Sequence, residues 1–129
     1  MENYTASILE SSKELTARER IAAKDTTNAN KIDTSIDYTE NGKLVITPVA
    51  YVILSIHNEK SKDRKDYENY LIFDESGAKY ITGSPSFWNS FKAIWDEMAE
   101  ANEEGYSIEC YKVPSKNYSG KEFLTCSII

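Results

Sequence analysis

Two short stretches of this 129-residue chain bring cations and aromatic rings together. NEKSKDRKDY carries Lys60, Lys62, Arg64 and Lys65 and ends on Tyr67, and KVPSKNYSGKEF carries Lys112, Lys116, Tyr118, Lys121 and Phe123. Ammonium and guanidinium groups follow a phosphate backbone, while flat rings stack on any base at ~1–3 kcal/mol each, so the mixture suits a single nucleic-acid strand. Polar loops also carry lysines for solubility, and Glu59, Asp63 and Asp66 dilute the first stretch, which alone supports both readings equally. Tyr70 and Tyr80 are candidate stacking platforms, with cross-strand packing as their other reading. Nine tyrosines are more than a core readily uses, because each buried hydroxyl needs a partner.

The net charge of −6 would oppose a nucleic-acid partner if it were evenly spread. Across residues 84–105, however, Lys92 alone faces Asp96, Glu97, Glu100, Glu103 and Glu104, whereas across residues 111–123 three lysines face only Glu122. Both the acidity and the basicity are local. The five acids read as one solvated helix face, since no His or Cys stands nearby in sequence to complete a metal site. His57, the single histidine, has no spaced partner of a catalytic set. The chain carries neither a glycine-rich phosphate loop nor a CxxC pair. The residues therefore point to no enzyme, no metal and no cofactor.

The elements that must position these side chains are mostly strands. Thr16 and Glu19 have capping-box spacing ahead of a short helix over residues 17–24. Ile32, Thr34, Ile36 and Tyr38 alternate with polar residues, which predicts a half-buried strand, and Asn41-Gly42 suits a tight hairpin after it. KLVITPVAYVILSIH is apolar on both parities with Pro48 inside, which predicts a long strand bent at the proline and shared between two halves of a barrel. Residues 67–73 and 79–82 predict two strands joined at Ser76-Gly77. Ser84, Pro85 and Gly105 bracket a helix whose Phe87, Trp88, Phe91, Ile94, Trp95 and Met98 share one face as core. Residues 106–113 and 123–128 form the last two strands, where Cys110 and Cys126 lie symmetrically about Tyr118 as cross-strand neighbours. They read as small buried hydrophobes.

The expected fold is thus mainly β: a five-stranded Greek-key barrel of the OB type over residues 43–129, with its helix between strands three and four. Residues 1–42 add an arm with a short helix and an extra strand, and the whole is one structural domain. An open α+β sheet covered by the Trp-bearing helix is the other reading. MENYTASILESSKE lacks the charge and apolar pattern of a secretory signal, so a cytoplasmic location is expected. The apolar run over residues 45–56 is shorter than the ~20 residues of a membrane span.

In ELTARERIAAKDTTNA, VITPVAYVILSIHNEKS, YITGSPSFWNSFKAIWDEM and PSKNYSGKEFLTCSII the chain resembles small single-stranded-DNA-binding proteins of phages and mobile elements of Gram-positive bacteria. The likeness runs from Glu14 to the end. It implies an OB fold, sequence-tolerant binding of single strands during replication or transfer in a bacterial host cell, and replication proteins as partners. Carried over by position, it favours Lys112, Lys116, Tyr118 and Lys121, with the lysines after His57. Cellular single-strand binders usually end in an acidic tail, whereas this sequence ends in Cys126-Ser127-Ile128-Ile129, so recruitment would use the acidic helix face or the N-terminal arm. An adaptor that docks a basic partner on that acidic face is the rival function. DNA against RNA, and a homodimer through the arm against a monomer, stay open.

Overall fold

Pro48 divides the longest apolar run of the chain, and the strands on its two sides join different sheets. The computed structural model describes residues 4–35, 42–59, 66–114 and 122–129. Of these, 48% are in strands and 26% in helices, so the protein is mainly β. The elements are β1 (Tyr4–Ser11), α1 (Ala17–Lys24), β2 (Asn30–Lys31), α2 (Ile32–Ser35), β3 (Leu44–Ile46), β4 (Pro48–Asn58), β5 (Asp66–Asp74), β6 (Lys79–Thr82), α3 (Pro85–Glu100), β7 (Ile108–Pro114) and β8 (Glu122–Ile128). The strands form a five-stranded sheet, β1-β4-β5-β6-β2, and a three-stranded sheet, β3-β7-β8. The chain divides into two compact units, Met1–Asn30 with Ala50–Gly83 and Lys31–Val49 with Ser84–Ile129, which share out the expected arm.

The first unit is organised on β4. β1 pairs antiparallel with it, and a bulge leaves Leu9 as the extra residue, 60% exposed. Val52, Leu54, Ile56, Leu71, Ile81 and Ala23 form the core, with Ala6 and Ile8 of β1 packed against it. Thr16 and Glu19 form the reciprocal capping box of α1, at 3.2 and 2.9 Å. Bonding to Lys13 and to the Thr16 backbone holds the Glu19 carboxyl down to about 2. At the other end of α1, the Lys79 ammonium donates to the carbonyls of Ala22 and Asp25 at 3.0 and 2.7 Å, where the helix dipole favours a cation. The β5–β6 turn is built by Asp74, which accepts from the Ser76 and Gly77 amides, with Gly77 at φ +93°.

In the second unit β7 pairs antiparallel with both β3 and β8, and Cys110 stands directly opposite Cys126. Ile46, Ile108, Cys110, Leu124, Cys126, Phe87 and Phe91 are buried. Ser84 caps α3 and Pro85 opens it, as the sequence predicts. The helix lies on β8, where Ser86 Oγ donates to the Leu124 carbonyl and Ser90 Oγ meets Thr125 Oγ1, both at 2.9 Å. Phe91 sits 5.1 Å from Trp88 and 5.8 Å from Trp95 between ring centres, so the aromatic stripe is structural.

Three expectations are corrected. The sheets are not one closed barrel: β6 is four residues long, and the edge it would offer for closure is taken by β2, where Asn30 Nδ2 also donates to the Lys79 carbonyl at 3.2 Å. The strand expected from Ile32 is the short helix α2 over Ile32–Ser35, because Asp, Thr and Ser readily bond nearby backbone and favour local turns over a ladder. Ile36, Tyr38 and Asn41 lie outside the described residues. Finally, α3 stops at Glu100 rather than running to Gly105. Asn102 adopts φ +56°, its amide bonds the Ala99 carbonyl, and the Glu103 amide bonds the Met98 carbonyl, which is a Schellman ending.

Candidate nucleic-acid interface

The β7–β8 ribbon has one dry and one wet face. Alternation sends Cys110, Leu124 and Cys126 into the core and leaves Glu109, Tyr111, Val113, Phe123, Thr125 and Ser127 on the other face, half-buried or exposed. Val45 of β3 joins that wet face opposite Glu109 and is 53% exposed. Tyr111 is fixed there, since its hydroxyl and that of Ser127 lie 2.6 Å apart. The Lys43 ammonium stands over the Tyr111 ring at 6.0 Å from its centre and pairs with Glu109 at 3.3 Å. Phe123, 42% exposed, is the partner of Val113 at the next position along the ribbon. Tyr111 with Lys43, and the exposed Phe123, therefore share one face of the sheet, which Ser90 of α3 touches at Thr125.

Lys112 belongs to the opposite parity, across from Leu124. It lines a polar groove of about 440 Å³ with Asp33, Ser84, Ser86, Glu122 and Phe123, so the structure brings the predicted Lys112 and Phe123 together at the ribbon end. The last described pair is Pro114 with Glu122. Lys116, Tyr118 and Lys121 lie in the seven-residue connection between them, outside the described residues, as do Lys60, Lys62, Arg64 and Lys65.

Of the two readings open for the tyrosines of the first unit, Tyr70 takes cross-strand packing. Tyr70 is only 8% exposed, its hydroxyl is 3.4 Å from Glu68 Oε1, and burial raises its pKa above the usual phenol value. Its ring is not an open stacking surface, because β5 is buried on both faces at Tyr70, Leu71 and Ile72. Tyr80 is half-buried opposite Ile72, and Tyr67 packs against the core.

The base of the β4–β5 connection is held by His57. Its Nδ1 lies 2.7 Å from Asp66 Oδ1 and its Nε2 2.5 Å from Glu59 Oε1, so one imidazole bridges the two ends of the loop whose sequence carries four cations. Bonding to Asp66 and then to Glu59 raises the His57 pKa above 6.5. Among the described residues no group of three or more His, Cys, Asp and Glu side chains could hold a metal ion.

Tyr111 and Lys43 are the residues that sequence reasoning passed over. The signal was present: the symmetry about Tyr118 that pairs the cysteines also places Tyr111 and Phe123 on one face. No described helix is long and apolar enough to cross a membrane. Comparison of the chain with protein-family models, curated proteins and solved structures gives no match.

Proposed function

We propose that the chain is a non-catalytic, sequence-tolerant single-stranded DNA-binding protein of the OB type, acting in replication or transfer of phage or mobile-element DNA. The observation that carries the reading is the wet face of the β7–β8 ribbon. It presents Tyr111 beside Lys43 and Phe123 further along the same face, and the connection at its end contributes Lys116, Tyr118 and Lys121 in sequence. Rings on such a face stack bases without reading them, and the ammonium groups take the phosphates. The acids of α3 repel the backbone and leave the ribbon as the favourable track.

The OB reading is supported by strand order. β4, β5 and β6 follow one another in the first sheet, α3 comes next, and β7 and β8 then form a ribbon that returns to β3, separated from β4 only by Thr47. In this reading the barrel is left open at β6. Fold alone leaves function unspecified, so the test lies with the side chains.

Tyr111→Ala and Phe123→Ala should each weaken binding of a fluorescent oligo-dT by about 5- to 150-fold, from ~1–3 kcal/mol per stacked base. Tyr111→Phe, which keeps the ring and gives up the Ser127 contact, should bind like the parent, and so should Tyr70→Phe. Parent-like affinity in both alanine variants would remove the ribbon face as the binding surface.

A further inference from the structure

The second unit holds another groove, of about 440 Å³, where α3 ends. Pro48, Val49, Trp95 and Tyr106 supply its apolar and aromatic lining, and Glu103 and Glu104 supply carboxylates. Val49 is 55% exposed, an apolar side chain left open beside a tryptophan. Among the described residues no basic side chain lines the groove. The last turn of α3 contains no cation either, so its C-terminal carbonyls add negative potential to that of the carboxylates. Lys92, the one base across residues 84–105, is held by Asp96 at 2.8 Å.

Such a site repels phosphate and favours a cation with an apolar body. Guanidinium meets each demand: its plane stacks on indole and phenol rings, its fork matches carboxylates, and its methylene stem covers apolar surface. The volume lies within the range of about 300–1,000 Å³ typical of small-ligand pockets, which leaves room for one arginine side chain. We propose that this groove is a docking site for an arginine-bearing apolar segment of a partner protein, with the arginine stacked on Trp95 and Tyr106 and paired to Glu103 and Glu104. Because the site is acidic and the ribbon face carries the rings and cations, the partner can be held while DNA is bound. The groove does not depend on the DNA-binding reading.

The test uses the full chain and a fluorescein-labelled peptide of alternating leucine and arginine, with matched leucine–glutamine and leucine–glutamate peptides as controls. Saturable binding of the arginine peptide is expected, lost at least tenfold in Glu103→Gln/Glu104→Gln and unchanged in Lys43→Gln. Those carboxylates are exposed, so the double variant folds, and circular dichroism checks that it does. Competition by oligo-dT should be absent. The proposal is overturned if the arginine peptide fails to bind at low salt, if the double variant binds it as well as the parent, or if the glutamine peptide binds equally. A dimer whose mass collapses in the double variant would assign the groove to a second copy and overturn it too.

Discussion

His57 bridges Asp66 and Glu59, and its protonated form is the one that both carboxylates stabilise. Because the folded pKa is raised above 6.5, the clasp contributes fully below about pH 6.5 and is lost as pH climbs through the raised value. The single histidine makes this readable: its imidazole NMR resonances should titrate above 6.5, and Asp66→Asn should bring the midpoint down. A midpoint at or below 6.5 in the parent would contradict the clasp. The cysteines show the effect of burial. Desolvation pushes the Cys126 thiol up to about 12 and the Cys110 thiol further still. Both should resist iodoacetamide in the native protein and react once urea unfolds it, as followed by mass spectrometry; rapid native labelling would contradict their burial. Position separates three of the nine tyrosines. Tyr51 and Tyr70 are buried with hydroxyls near Glu10 and Glu68, whereas Tyr111 keeps its ring on a wet face. Composition alone could not sort them, because all three stand in strands.

Local chemistry dictates the elements that the sequence predicts well. Thr16 with Glu19, and Ser84 with Pro85, are caps that need no tertiary context, and the α3 stripe has a face to bury. Elements set by long-range pairing were harder to read. β1 alternates only weakly in YTASILES and exists because β4 offers it an edge, and β2 is two residues that cover β6. The α3 ending shows the same limit on a small scale. Gly105 does sit at φ +77°, but Asn102 three residues earlier already adopts φ +56° and stops the helix. Alanine at that left-handed position costs about 1–2 kcal/mol, whereas glycine removes the side-chain clash. Asn102→Ala should lower the urea midpoint, and Asn102→Gly should hold or raise it. Equal midpoints for the two would show that the turn relaxes without cost.

At the scale of the molecule, the net negative charge that opposes nucleic acid is segregated. Five acids collect along α3 and after it, while Lys112, Lys116 and Lys121 cluster in sequence around the end of the β7–β8 ribbon. The mainly β class was legible from alternation and turn residues. The division into two sheets was not, because Pro48 signals a bend but leaves the partner of each half unspecified. Four of the seven predicted cations fall at positions 60–65, between β4 and β5 in sequence, and two more at positions 116 and 121, between β7 and β8. Lysine and arginine side chains that neutralise phosphates release the counterions condensed on the strand, so the affinity of the proposed complex must carry the mark of salt. Fluorescence titration of the full chain with a short oligo-dT over a series of salt concentrations reads this directly. With about five phosphate contacts, log K should fall against log salt with a slope near −3.5, from ~0.7 per contact. Absence of binding at low salt, or binding indifferent to salt, would contradict the account.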